Sequence, residues 1–341
     1  MQQKERIDWI DTAKGIGLLF VILGHLHVPY LATWIYFFHM PLFFFLSGIV
    51  YSGEKYPLRT YFQKRVRSLV VPYFSFGIII WLFYVIVNCF VSADSRLYGS
   101  NVDMLKGLIV QEHFWTIWFL AALFLVEMIY YLMDRVFGKS MVGLSVASSF
   151  LCVFGLIRYR MGWGALPWNL DVAFVAQFFF HTGRLLRKSK FLTVLTRSDS
   201  KGRQIALLLI FLVVSILGGG LGIKIAHESL DMSVGLYGNE LLTFIAAFAG
   251  IFFVIVLSSL LPLKSLRYLG KNTMVIFALH SRVVIVLCNY IYAGLGIFQG
   301  TGLIERLSYA AVTFVVVMAV MIPLTEFIKK SKLRAWFGVG N

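Results

Sequence analysis

Basic side chains recur in this sequence inside stretches that otherwise carry few polar groups. His25, His39 and His280 lie within apolar runs, Arg282 follows two residues after His280, and Lys14 precedes His25 with ten residues between them. An ionisable group placed among apolar neighbours in a membrane costs about 3 kcal/mol or more, so each asks for a task or a partner. Imidazole gains and loses its proton near neutral pH. A histidine in such a place can take the proton from an attacking hydroxyl or carry an acyl group itself. Histidine or arginine can also steady a developing oxyanion. His25, His39, His280 and Arg282 are therefore the candidate catalytic residues. The plainer reading of any one of them is a hydrogen bond to a neighbouring helix. No H-x-x-x-H or H-x-x-E spacing occurs and no carboxylate closely flanks these histidines, so no metal site is expected.

A second constellation is cationic. Lys64, Arg65 and Arg67 stand together ahead of an apolar run. Such a group binds phosphate oxygens, and it equally attracts anionic lipid headgroups. Lys14 belongs with it as a candidate phosphate contact, or it snorkels to the headgroups. Other polar residues have plainer readings. Glu127 can pair with a basic residue and hold helices together, and Asp11 can orient Lys14 or pair with another cation. Asp171 and His27 suit an outer interface, and His181 with Arg184 suits an inner one.

The elements that must position these groups follow from composition. Of 341 residues 59% are apolar and only 14% charged, against roughly 25% charged in soluble domains. A chain so poor in charge needs lipid around it. A membrane helix takes about 20 mostly apolar residues. Ten such segments are predicted, near 14–32, 35–52, 69–93, 114–133, 141–157, 166–186, 204–223, 240–261, 271–293 and 305–328. Residues 1–12 suit a short interfacial helix. The fold class is an all-α polytopic bundle, read as one domain over 1–341, with no signal peptide expected.

Charge placement orients it. With the N-terminus inside, the inner segments hold 24 of the 31 lysines and arginines and the outer loops hold 6, leaving Arg282 within a helix. This asymmetry predicts both termini in the cytoplasm, including the tail 329–341. It also accounts for the net charge of +15 without any nucleic acid partner. Cys89, Cys152 and Cys288 sit in apolar runs at no redox or metal spacing, and read as free core thiols.

Several blocks then resemble a known family. Asp11-Thr12-Ala13-Lys14-Gly15-Ile16 with Leu23-Gly24-His25 resembles the opening signature of the acyltransferase-3 family of integral membrane acyltransferases, closest to the fucose 4-O-acetylase-like branch. The family usually has arginine where Lys14 stands, and lysine lacks the bidentate fork. Phe38-His39-Met40-Pro41-Leu42-Phe43-Phe44-Phe45-Leu46-Ser47-Gly48 resembles the second-helix block. Lys64 through Tyr73 resembles the basic block before helix 3, Trp118-Phe119-Leu120 fits helix 4, and Gly270-Lys271-Asn272-Thr273 through His280 resembles a late block.

The resemblance implies transfer of an acyl group, usually acetyl from cytosolic acetyl-CoA, to a hydroxyl of a cell-surface or lipid-linked glycan. On that expectation Lys14, Lys64, Arg65 and Arg67 meet the phosphates of acetyl-CoA and His25 acts as base, with His39, His280 or Arg282 at the oxyanion. The protein is then expected in the plasma or inner membrane among lipids. The alternative is a transporter or flippase for a sugar or organic acid, because membrane charges and ten helices suit that too.

Overall fold

The computed structural model describes residues 8–90, 100–111, 116–138, 140–197, 200–228 and 230–339, and no β-strand occurs among them. In chain order the helices are α1 Asp8–His25, α2 Leu31–Tyr36, α3 His39–Val50, α4 Leu58–Arg65, α5 Val71–Val87, α6 Asn101–Val110, α7 Trp118–Phe137, α8 Met141–Arg160, α9 Leu170–Leu186, α10 Lys190–Thr196, α11 Lys201–Ala226, α12 Glu240–Leu260, α13 Lys264–Lys271, α14 Thr273–Leu279, α15 Val286–Leu295 and α16 Leu303–Lys330. Two π-helical turns, Val66–Val70 and His280–Ile285, join α4 to α5 and α14 to α15.

All ten predicted segments contain helix. Seven spans are long and apolar enough to cross a membrane: Leu31–Lys55, Leu58–Val87, Met141–Arg160, Lys201–Ala226, Glu240–Leu260, Thr273–Leu295 and Leu303–Lys330. The protein is a multi-pass, all-α membrane protein. The first, fourth and sixth predicted segments correspond to α1, α7 and α9. α1 carries Asp8, Asp11 and Lys14, α7 carries Glu127, Asp134 and Arg135, and α9 has 17 residues.

Three expectations need correction. The first helix runs over Asp8–His25 and not 14–32. Acidic Asp8 and Asp11 favour its positive N-terminal end, and it stops before a turn in which His27 and Tyr30 take positive φ around Pro29. The second helix is broken at 37–38, because the ring of Pro41 crowds the carbonyl four residues back. Residues 33–34, expected as an outer loop, therefore lie inside α2. Cys89, expected in the core, is exposed. The helix ends expected at 91–93 and 114–115, and residues 1–7 of the interfacial helix expected over 1–12, lie outside the described residues; residues 8–12 open α1.

The chain divides into two compact units, each assembled from separate stretches of sequence. The first comprises 1–51, 176–232 and 236–273. Within it α11 packs on α12, and α1 packs on α12 and α13. Two reciprocal glycine contacts set its closest helix approaches. A methyl at Gly15 would lie 2.1 Å from the Leu266 carbonyl oxygen, and one at Gly270 would lie 1.7 Å from that of Asp11. Likewise Gly48 faces the Phe180 carbonyl at 1.8 Å and Gly183 faces that of Phe45 at 2.0 Å. Small residues give membrane helices the van der Waals contact that lipid-driven packing cannot supply. Aromatic packing completes the core, with Phe179 stacked on Phe244 at 5.0 Å and Phe45 edge-on to Phe252.

The second unit comprises 52–175, 233–235 and 274–341. α5 follows the π turn at Val66–Val70, where Pro72 offers no N–H and crowds the Ser68 carbonyl, so the turn widens. α6 was not predicted. It lies in the stretch expected as an outer loop and packs lengthwise on α5: Leu108 fills the space beside Gly77, and Trp81 Nε1 donates to the Asn101 carbonyl at 2.9 Å.

Candidate active site

In the first unit His25 is the last residue of α1 and His39 the first of α3. The Tyr36 ring lies between them, 6.4 Å from the His25 ring and 4.9 Å from that of His39. The two imidazoles are close enough to interact electrostatically. The sequence reading put these histidines at similar depth, and the structure brings them together, at helix ends and not mid-helix. His25 is half-buried and His39 buried.

Both rings are held alike. His25 Nδ1 lies 2.8 Å from the Val21 carbonyl oxygen, and His39 Nδ1 lies 2.9 Å from that of Ile35. A carbonyl only accepts, so the geometry assigns the proton of each neutral ring to Nδ1. Nε2 then carries the lone pair, as a general base requires. His27, two residues on, is exposed in the turn and has no part in this cluster.

Lys14 is half-buried in the second turn of α1, and eleven residues of helix, about 16 Å, separate it from His25. Of the acidic residues of α1, Asp8 pairs with Arg267, and Asp11 Oδ2 lies 4.0 Å from Lys271 Nζ. Sequence reasoning left the partner of Asp11 open and did not single out Lys271 or Tyr36. Lys271 lies in a quoted block and Tyr36 two residues ahead of one, and their own chemistry gave no reason to choose them. His181 is buried, and Arg184 and Arg187 gather on Tyr51 through its ring and its carbonyl.

The second unit holds the other candidates. Arg65 Nε lies 2.7 Å from Glu127 Oε2, and Tyr61 donates to the same carboxylate oxygen. Tyr61 also stacks on Tyr131 at 4.9 Å. Arg65 thus binds α4 to α7, the tying role foreseen for Glu127. Lys64 places its ammonium 3.5 Å from the centre of the Tyr56 ring. Arg67 is exposed on the π turn. His280 and Arg282 lie on the other π turn, and π turns are frequent at functional sites. His280 is buried, with Nδ1 at 2.9 Å from the carbonyls of both Ile276 and Phe277, the same tautomer as His25 and His39. Arg282 is half-buried and acts electrostatically on Tyr84. Among the described residues no group of three or more His, Cys, Asp or Glu is arranged to hold a metal ion.

A family model, the acyltransferase domain of the acyltransferase-3 family, matches residues 7–326. The chain belongs to the acyltransferase-3 family. No curated protein and no solved structure matches it. Membership makes this an acyltransferase of the membrane.

Proposed function

We propose that this acyltransferase is an O-acetyltransferase of the fucose 4-O-acetylase-like branch. It moves acetyl from cytosolic acetyl-CoA to a hydroxyl of a cell-surface or lipid-linked glycan, in the plasma or inner membrane. The observation that supports this reading is the pair His25 and His39 about Tyr36, each ring with Nδ1 on a backbone carbonyl. His25 is the more accessible of the two and is the base. Its Nε2 takes the proton of the acceptor hydroxyl while that oxygen attacks the thioester carbon. The C–S bond breaks as the tetrahedral intermediate collapses, and the CoA thiolate leaves with the proton returned to it from His25. His39 and Tyr36 hold the orientation of the ring.

In the second unit, exposed Lys64 and Arg67 are the cations proposed for the CoA phosphates. Arg65 is the weaker candidate because its guanidinium is engaged by Glu127. Lys14 keeps the same proposed role in the first unit.

The test is a gene deletion in the native host, complemented with wild type or with His25→Ala at matched membrane levels. Alkali-labile acetyl groups on the surface glycans are measured by mass spectrometry. Acetylation returning with wild type alone supports the reading, and equal acetyl content in all three strains removes it. Transfer from acetyl-CoA by purified protein in detergent, where no gradient exists, separates chemistry from transport.

A further inference from the structure

We propose that Gln111, Asn169 and the ring of Trp168 form a sugar-binding site within the second unit. It is the acceptor site of the transfer proposed above and rests on that reading.

Four observations converge there. The first is the path of the chain. Asn88 Nδ2 donates to Asn101 Oδ1 at 2.8 Å at one end of α6. At the other, Tyr73 Oη donates to the Leu108 carbonyl at 2.5 Å and to Gln111 Oε1 at 2.8 Å. α6, ten residues or about 15 Å of helix, therefore runs back along α5 from the Asn88 end and stops beside Tyr73. Irregular backbone within a membrane is tolerated where it is buried in protein or lines a cavity.

The second is that another irregular segment meets it. Trp168 Nε1 donates to the Ile109 carbonyl at 3.1 Å, and its ring lies 5.6 Å from that of Tyr73 and 6.4 Å from that of Phe124. The third is backbone conformation. Gln111, Trp168 and Asn169 take φ of 50°, 60° and 56°. Glycine adopts these angles at no steric cost, and the position after a helix is where glycine is usual. Side chains kept in that region mark functional sites more often than chance.

The fourth points to the ligand. Gln111 and Asn169 are 0% exposed. Among the described residues, Gln111 Nε2 and both amide atoms of Asn169 have no hydrogen-bond partner. A buried amide without a partner bears the full cost of desolvation. The unmet groups include donors and an acceptor and carry no charge, so they match neither an anion nor a cation. Neighbouring hydroxyls of a sugar supply both complements, and the half-buried Trp168 ring offers an apolar face for its C–H groups.

Gln111→Gly and Asn169→Gly remove the amides while keeping the left-handed backbone, and Tyr73 retains its bond to the Leu108 carbonyl. Ser148→Ala is the control, since its buried hydroxyl also lacks a partner among the described residues but lies on α8. Purified full-length protein in detergent is assayed with acetyl-CoA and a glycolipid extract of the deletion strain. Each glycine variant is expected to raise the KM for the extract about tenfold, with the KM for acetyl-CoA unchanged and Ser148→Ala like wild type. Thermal stability is read in parallel with methyl fucoside, methyl galactoside and methyl glucoside as probes. At least one is expected to raise the Tm of wild type and of Ser148→Ala, and neither glycine variant is expected to respond. Unchanged KM for the extract together with equal glycoside shifts in all proteins overturns the site. If wild type transfers no acetyl, the parent reading fails, and the glycoside shift alone then decides whether a sugar binds: a shift lost in the glycine variants sustains the site, and no such difference removes it.

Discussion

Three histidines of this chain share one device: Nδ1 is bound to a carbonyl of the preceding helical turn, which fixes the tautomer and leaves the lone pair on Nε2. The device is local, so each ring can be tested alone. His25→Ala is expected to lower kcat by about 10²–10⁴-fold with little change in the KM for acetyl-CoA, the range for loss of a positioned base. His39→Ala, removing an orienting neighbour, is expected to cost less, about tenfold. Steady-state rates of the purified variants check both, and a larger loss for His39→Ala would exchange their roles. Arg65 and Glu127 carry a different expectation. Glu127→Ala leaves a guanidinium without its carboxylate and is expected to cost about 3 kcal/mol of stability. The double change Arg65→Met with Glu127→Leu is expected to recover much of that loss. Thermal unfolding of Arg65→Met, Glu127→Leu and the double variant decides it. Additive losses would mean that the pair is not coupled.

Helices of this protein approach one another through glycine, and that explains part of what the sequence blocks contain. Gly15, Gly48 and Gly270 stand inside the quoted blocks beside the polar residues, and each would drive a methyl into a backbone carbonyl. Gly48→Ala and Gly270→Ala are each expected to lose about 1–3 kcal/mol, read as lower membrane yield and Tm, whereas Gly294→Ala, with nothing within 4 Å, should be silent. Wild-type stability for Gly270→Ala would show that α1 and α13 are not held in backbone contact at this glycine. The apolar runs were legible because a bilayer demands about 20 apolar residues in sequence. The details that position the site were not. α6 is ten residues long, too short and polar to register as a span, and its depth depends on contacts with α5. The π turns leave no periodic signature. Depth counting brought His25 near His39, but the end of α1 moved to His25 because a turn around Pro29 outweighed a continuous hydrophobic pattern. Gln111 and Asn169 stayed hidden, since an amide in a loop reads as solvated until its burial is known.

Across the whole molecule the distribution of cations makes the most exacting claim, since 24 of 31 are assigned to one side. The claim is testable without any substrate. On a background with Cys89, Cys152 and Cys288 replaced by serine, Thr301→Cys and Lys332→Cys place single thiols at exposed positions beyond either end of α16. A membrane-impermeant maleimide is expected to label Thr301→Cys in intact cells and Lys332→Cys only after permeabilisation. The reverse pattern would put Lys64 and Arg67 on the outer surface, where cytosolic acetyl-CoA cannot meet them. It would also move the Asn88 end of α5 to the cytoplasm, so that α6 entered from the donor's side. The donor assignment therefore stands or falls with that one labelling result, and the side from which a sugar would reach Gln111 and Asn169 is set by it too, because the charge pattern alone gives each its side of the membrane.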